Sequence, residues 1–274
     1  MTRPPAPEPL PHPVVDNHCH LDVVRHGADD PVAVDEAVTA AAAVGVTRIV
    51  QIGCDLPGAR WAVEAAQAHD ALVAGVALHP NEAPRLPLLD DAMAEIERLA
   101  AHDRVRAVGE TGLDHFRTGE EGRAVQVESF RRHIDLAKRL DRTLVIHDRD
   151  AHDAVLAVLD EEGAPERWVM HCFSGDAEFA RRCLDRGAHL SFAGTVTFKN
   201  AAPLREALAL TPRDRVLVET DAPYLTPVPH RGRTNASYLV PLTVRAMAEV
   251  RGDDLGELCA AIDANTDVAF GGRW

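Results

Sequence analysis

Short apolar runs alternate with longer amphipathic stretches along most of this chain. Eight short runs predict strands, at 14–17, 48–52, 72–77, 105–109, 143–146, 168–170, 189–192 and 216–219. Stretches of helical periodicity lie between them, at 33–44, 59–69, 92–101, 125–140, 151–161 and 178–185. The segment between the last two strands predicts only a short helix. The alternation indicates repeated βα units and a parallel sheet.

Eight parallel strands in about 260 residues match the size and rhythm of a barrel. We predict an α/β protein with a single (β/α)₈ TIM-type barrel over residues 14–274, preceded by a disordered Pro-rich tail at 1–13. An open, doubly wound sheet is the alternative. Residues 238–270 predict one or two closing helices, with Pro241 near an N-terminus and Gly252 as a stop.

A pair of histidines stands at the end of the first strand, in the run Val-Val-Asp-Asn-His-Cys-His at 14–20. Residues two apart on a strand point to the same side. His18 and His20 can therefore bind one metal ion together. Cys19 points the other way and is predicted to pack against its neighbours rather than to bind metal.

Four further strands end in side chains that bind metals. Glu110 follows the fourth strand, His147 the fifth, His171 the sixth and Asp221 the eighth. One such residue at a strand end is more often a loop or capping residue. Four independent strands with this ending are hard to explain by chance, because barrel active sites lie at that face. Only a closed barrel also brings the ends of the first and eighth strands together. The sequence thus predicts a metal site at the C-terminal ends of the strands.

The donor set indicates two metals and hydrolytic chemistry. Four histidines and two carboxylates exceed the three protein ligands that one open catalytic ion needs. Mixed nitrogen and oxygen donors suit Zn, Mn, Co or Fe, while substrate phosphate oxygens could help to hold Mg. Two neighbouring ions acidify a water and neutralise charge on the attacked group.

Composition sets the expected compartment and partners. Five cysteines without CxxC spacing argue against a disulfide framework and a zinc knuckle, which favours a cytoplasmic location. No signal peptide or membrane span is recognised, so we expect no membrane association and no obligatory protein partner. The net charge of −14 means that nucleic-acid contact would need local cations and metal ions.

Five motifs in order resemble the TatD-like metal-dependent deoxyribonucleases of the amidohydrolase superfamily. They are Asp16-Asn-His-Cys-His-Leu-Asp22, Gly109-Glu-Thr-Gly-Leu-Asp114, Ile146-His147, His171-Cys-Phe-Ser-Gly175 and Glu219-Thr-Asp-Ala-Pro-Tyr-Leu225. The resemblance spans most of the chain after Pro13. One departure is Asn235-Ala-Ser237, where family members often carry Asn-Glu-Pro, which affects expectations for that loop rather than for the metal site.

The resemblance implies a specific ligand arrangement and activity. It implies that the paired histidines and Asp221 hold one ion, that His147 and His171 hold the other, and that Glu110 bridges them. It further implies that Asp221 orients or deprotonates the attacking water. Members are described as nucleases that remove nucleotides from DNA ends. The implied protein is a DNase acting on single strands or ends, with two divalent ions that are Mg, Mn or Zn.

Phosphodiester hydrolysis also needs cations around the phosphate. The candidates in the strand-end loops are Arg149, Lys199, Arg231 and Arg233, although each could also be ordinary surface charge. His79, after the third strand, is a further substrate-side candidate that could equally cap its loop.

Two other functions remain open at the level of sequence. A related amidohydrolase acting on a small ester, lactone, amide or phosphotriester would use nearly the same barrel and metals. Such relatives often bridge their metals with a carboxylated lysine, whereas this chain has Glu110 at that point and few lysines. The other alternative is a non-catalytic, metal-dependent scaffold, which a missing ligand would favour; no ligand is missing.

The remaining histidines lack partners at ligand spacing. They are predicted to lie at the surface and include His12, His26, His69, His102 and His133.

Overall fold

Eight parallel strands pair in chain order around a barrel in the computed structural model, which describes residues 3–23 and 32–274. The strands are β1 (Val14–Cys19), β2 (Val46–Gly53), β3 (Leu72–Val76), β4 (Val105–Asp114), β5 (Thr143–Arg149), β6 (Trp168–Met170), β7 (His189–Phe192) and β8 (Val216–Val218). The predicted (β/α)₈ barrel is confirmed.

Helices cover the outside of the barrel. They are α1 (Val34–Ala42), α2 (Leu56–Ala68), α3 (Leu89–Ala100), α4 (Glu120–Arg139), α5 (His152–Glu162), α6 (Ala177–Leu184), α7 (Ala202–Leu210), α8 (Val240–Arg251) and α9 (Leu255–Ala269). The last two are the predicted closing helices: Pro241 lies in the first turn of α8, and Gly252 ends it in a left-handed conformation. Within the described ranges, no helix is long and apolar enough to cross a membrane.

Two hydrophobic clusters lie on either side of the strands. The inner cluster fills the barrel with side chains that include Val50, Val145 and Val169, and Phe270 at the end of α9 packs against it. The outer cluster joins the strands to the helices and contains Trp168 and Phe130, both fully buried. Burial on both faces explains why the strands are apolar runs rather than alternating ones.

Side chains of β1 close the barrel against β8. Asp16 accepts hydrogen bonds from Thr220 N (2.8 Å) and Thr220 Oγ1 (2.6 Å). Asn17 Nδ2 donates to Ser191 Oγ (2.7 Å) and Val218 O (2.6 Å). At the top of this seam, Asp221 N donates to His18 O (3.0 Å). The first and last strands therefore bring their candidate ligands together.

The N-terminal segment differs from the predicted disordered tail. From residue 3 onward it packs against the barrel, and Leu10 is buried and donates from its backbone to Val44 O. Tyr238 Oη donates to Pro4 O (2.7 Å), and Arg245 donates to Pro9 O (3.1 Å). Prolines alone did not reveal these contacts, because Tyr238 and Arg245 are distant in sequence. Residues 1 and 2 lie outside the described ranges.

The surface prediction is wrong for His133, which is fully buried on α4. Its Nδ1 donates to Ser129 O (2.7 Å), and its Nε2 accepts from Leu78 N (3.2 Å). Both ring nitrogens are thus satisfied in the neutral imidazole. Burial lowers the pKa of His133 to about 4. Another histidine of that group, His26, lies outside the described residues.

We expect the free energy of unfolding to fall as the pH is lowered from about 6.5 towards 4, because the unfolded chain binds a proton that folded His133 excludes. His133 makes its full contribution to the free energy of unfolding above the pKa that it has in the unfolded chain. Below that pKa the contribution falls by about 1.4 kcal/mol per pH unit. Urea unfolding of His133→Gln between about pH 4.5 and 7.5 should show a correspondingly shallower slope. His12→Gln, at an exposed position, is the control and should keep the wild-type slope. An unchanged slope in His133→Gln would contradict the prediction.

Candidate metal centre

Glu110, midway along β4, lies at the middle of a cluster of imidazoles. Its Oε1 is 2.6 Å from His147 Nδ1, 3.4 Å from His171 Nε2 and 3.5 Å from His79 Nε2. Its side chain is only 5 % exposed. One oxygen of a buried carboxylate therefore faces His147 within β5 and the histidines that follow β3 and β6.

The other oxygen faces the histidines of the first strand. Glu110 Oε2 is 3.4 Å from His18 Nε2 and 3.9 Å from His20 Nε2. Asp221, beyond β8, adds its Oδ1 at 3.3 Å from His20 Nε2. His18 also stacks on His171, with ring centroids 3.5 Å apart. All six sequence-predicted ligands thus meet in one place.

Two glycines allow β4 to present Glu110. A Cβ on Gly109 would lie 2.5 Å from Val145 Cβ, so glycine is needed for the close packing of β4 on β5. Gly112 has a φ of +138°, and a Cβ there would lie 2.1 Å from His147 O. The strand remains paired through Asp114, five residues past its predicted end. Glu110 and His147 are consequently held within paired strands rather than in loops.

Alternation along β1 places its two histidines as expected. His18 and His20 share one side, while Cys19 is fully buried in the outer hydrophobic cluster. His20 Nδ1 donates to Ile52 O (3.0 Å), which leaves Nε2 free to face Asp221 and Glu110. Backbone pairing of this kind fixes the tautomer of a ligating histidine.

Carboxylates stand behind two of the other histidines. His171 Nδ1 is 2.9 Å from Glu219 Oε1, and His147 Nε2 is 3.3 Å from Asp114 Oδ2. Such partners orient an imidazole and raise its basicity as a ligand. The sequence reasoning did not identify Glu219 as a site residue. Its position two residues before Asp221, the same spacing as in the paired histidines, was the available signal.

His79 has a different hydrogen-bonding state from the other imidazoles. Its Nδ1 accepts a hydrogen bond from Asn81 N (3.0 Å). Because a backbone N–H can only donate, the neutral ring carries its proton on Nε2, which points at Glu110 Oε1. His79 therefore presents a donor to the centre rather than a metal-binding lone pair.

Burial and the neighbouring charges move the pKa values of the cluster strongly. Burial, and next the positive charge of His171, lower the pKa of His18 to about 3. Burial alone would lower the pKa of His147, but hydrogen bonds to Asp114 and Glu110 outweigh it and raise that pKa to about 9. Burial would raise the pKa of Glu110, yet the surrounding imidazoles hold it well below its usual range. The buried carboxylate thus stays ionised and needs cationic partners.

The residues fit bound divalent metal. His18 is fully buried, and neither of its ring nitrogens, including the Nε2 that faces the centre, makes a hydrogen bond among residues 3–23 and 32–274. Within the same ranges, neither oxygen of the buried Glu219 makes a hydrogen bond, although its Oε1 faces His171. Sets of three donor atoms lie close enough to hold an ion, including His18, His20 and Glu110. A mixed imidazole and carboxylate set is typical of sites for first-row divalent metals.

Two thiols, Cys54 and Cys172, border the centre. Cys54 Sγ donates to Glu110 Oε2 at 3.5 Å, and burial raises the pKa of this thiol to about 12. Cys172 follows His171 directly, and burial raises its pKa well above the usual range. Both thiols are therefore protonated in the absence of metal.

The predicted substrate-side cations lie at the same end of the barrel, at the end of a strand or in the loops that follow the strands. Arg149 ends β5, with its guanidinium 4.1 Å above the Phe116 ring. Arg231 follows β8 and lies 3.9 Å above the Phe198 ring. Lys199 and Arg233 belong to the same two loops, after β7 and β8. The structure thus brings these positions to the face that holds the metal centre.

Sequence comparison identifies the family. The family model described as TatD related DNase matches residues 15–271. A protein of Mycobacterium tuberculosis named "Uncharacterized metal-dependent hydrolase TatD" is 49% identical over 265 residues, covering 95% of this chain and 99% of that protein. The Bacillus subtilis "Uncharacterized metal-dependent hydrolase YabD" is 37% identical, covering 93% of this chain and 98% of that protein.

Structure comparison agrees with the sequence match. The crystal structure of YjjV, a TatD homologue from Escherichia coli, superimposes with a TM-score of 0.86 at 27% identity. The match covers 95% of this chain and 98% of that one. The chain therefore belongs to the family of TatD-related metal-dependent hydrolases.

Proposed function

We propose that this protein is a nuclease that hydrolyses DNA phosphodiester bonds with two divalent metal ions. The observation that carries the proposal is the position of Glu110, whose two oxygens each face a separate group of histidines. A carboxylate so placed can bridge two ions, one at each oxygen. The family description as a DNase supports DNA as the substrate.

The ligands divide between the two sides of Glu110. His18, His20 and Asp221 lie on the Oε2 side and would hold one ion. His147 and His171 lie on the Oε1 side and would hold the other. Mg, Mn and Zn are the candidate metals, since nitrogen donors favour the transition metals and phosphate oxygens favour Mg.

Ions bound there would acidify a water molecule and neutralise the negative charge that develops on the attacked phosphate. Asp221 is the base of the proposal. Its Oδ1 faces His20, its side chain is 16 % exposed, and Oδ2 remains to take the proton of the attacking water. His79 donates from Nε2 to a phosphate oxygen of the substrate, and the loop cations, Arg149 among them, bind the adjoining phosphates.

A small-molecule amidohydrolase with a carboxylated lysine fits this chain less well. The sequence contains two lysines, Lys138 and Lys199. Lys138 lies on α4 and donates to Glu162 O, and Lys199 is exposed in the loop after β7. Neither is placed at the centre, and Glu110 takes the bridging position in our proposal. We therefore favour a phosphodiester of DNA, as a single strand or a duplex end.

Removal and replacement of metal tests the proposal. The metal-stripped protein is expected to leave end-labelled single-stranded DNA intact and to shorten it when Mg, Mn or Zn is added back. Asp221→Ala should stay inactive with every metal, whereas Glu206→Ala, which removes an exposed carboxylate on α7, should behave as wild type. No shortening with any metal, together with hydrolysis of an aryl ester or phosphotriester, would replace the nuclease with a small-molecule hydrolase.

A further inference from the structure

Arginine guanidinium groups stack on aromatic rings at both ends of the barrel. At the N-terminal end, Arg48 of β2 lies 4.6 Å above the Trp274 ring. Its N–H groups also donate to Asp263 (2.5 Å) and Asp267 (2.6 Å). This arginine is stacked and held in two ion pairs with α9, so it has a structural role between β2 and α9.

The two stacked arginines at the metal-centre end differ from Arg48. Across the part of the chain that the structure describes, the guanidinium groups of Arg149 and Arg231 make no hydrogen bond or ion pair. Acidic residues outnumber basic ones by 43 to 29, so carboxylate partners are not scarce. A guanidinium stacked on a ring keeps its in-plane N–H donors available. These donors are thus positioned and unused.

Phe116 is the more accessible of the two rings beneath these arginines. It is 62% exposed although Arg149 covers one of its faces, so the opposite face is open to solvent. Its backbone N–H donates to Asp114 Oδ1 (3.0 Å), and Asp114 Oδ2 is 3.3 Å from His147 Nε2. Asp114 therefore connects the backbone of Phe116 to the edge of the metal centre.

Exposed apolar side chains occur mainly in the loops that follow the strands. Of five large exposed hydrophobic residues in the described ranges, four lie in loops that follow strands, namely Leu88, Phe116, Tyr224 and Val228. Tyr224 lies beside the centre, with its ring centroid 6.4 Å from that of His20.

We propose that Phe116 and Arg149 form a nucleotide-binding station, in which one unpaired nucleobase stacks on the open face of Phe116 while Arg149 binds the adjoining phosphate. The proposal rests on the proposed function and specifies its substrate. Aromatic rings stack on any base, so the station does not read sequence. A base paired within a duplex is already stacked on both sides and is unavailable to the ring. The station therefore selects single strands and frayed ends.

Strands with and without bases test the station. The substrates are an end-labelled DNA strand and a strand of equal length made of abasic tetrahydrofuran residues. Wild type is expected to hydrolyse the base-bearing strand with a KM about tenfold lower, the order of one stacked base. Phe116→Leu, which keeps apolar volume but lacks a π face, should lose this difference by raising the KM for the base-bearing strand alone. Phe116→Trp should restore it, and Val268→Ala, an exposed apolar position on α9, should leave it unchanged.

A binding measurement separates this proposal from the proposed function. Stacking quenches 2-aminopurine, so a strand containing this base should lose fluorescence on binding the metal-free wild type but not Phe116→Leu. If wild type hydrolyses neither strand, the nuclease proposal fails while the quenching still decides whether a base stacks. An equal rise in KM for both strands in Phe116→Leu would mean that the ring only positions Arg149, and this result would overturn the proposed station. Unchanged quenching in that variant would overturn it as well.

Discussion

Glu110→Ala is expected to abolish hydrolysis, with kcat/KM falling about 10³-fold or more, the scale of losing a group that stabilises developing charge. The buried carboxylate faces five imidazoles and, in our proposal, supplies one ligand atom to each ion. Its removal deprives both ions of a ligand at once. Equilibrium titration of the metal-stripped variant should accordingly show weaker metal binding at both positions.

The fold should survive this replacement. Glu110 belongs to the site rather than to either hydrophobic cluster, and the surrounding imidazoles can release their protons once the carboxylate is absent. The circular dichroism spectrum should match that of wild type, and the melting temperature should differ by no more than a few degrees. Glu110→Gln, of nearly equal volume, excludes a simple packing defect, and Glu206→Ala controls for loss of a carboxylate elsewhere. Unchanged turnover in Glu110→Ala would contradict the proposed bridging role of Glu110.

Asp221→Asn is the second change with a large expected effect, a fall in kcat of about 10²- to 10⁴-fold, the usual value of a positioned general base. The amide retains an oxygen that can bind metal, but it cannot take the proton of the attacking water. KM and metal affinity should therefore change much less than kcat. Single-turnover measurements on labelled DNA, at saturating metal, separate the chemical step from binding.

A parallel loss in metal affinity would assign Asp221 a different role. If added metal restored turnover in Asp221→Asn to the wild-type value, the residue would be a ligand only and another group would act as base. The neighbouring Asp214, which is exposed before β8, offers a matched Asp→Asn control without contact to the centre.

The sequence predicts the barrel well because burial on both faces of every strand leaves a clear apolar run. Strands β6 and β7 have the predicted limits, whereas β4 continues to Asp114 because pairing with β5 persists past the apolar residues. The contacts of the N-terminal segment and the burial of His133 were missed, since both depend on elements far away in sequence. Tertiary contact of that kind leaves no periodic signal in a single chain.

In the candidate site, too, the sequence predicts the features set by local pattern and misses those set by tertiary contact. Period-two alternation and the shared end of parallel strands place all six candidate ligands correctly around one point. Glu219 was missed because it is the last residue of the predicted strand 216–219, where an acidic residue can simply mark the end of the strand. The stacking of Arg149, at the end of β5, on Phe116, in the loop after β4, joins residues 33 positions apart, and no local pattern predicts it.

Anomalous scattering from crystals of the Mn-loaded protein tests the central claim most directly. Two manganese peaks are expected, one beside Glu110 Oε2 among His18, His20 and Asp221, and one beside Glu110 Oε1 among His147 and His171. A single peak, or peaks that leave Glu110 in contact with only one ion, would contradict a carboxylate-bridged centre of two metals.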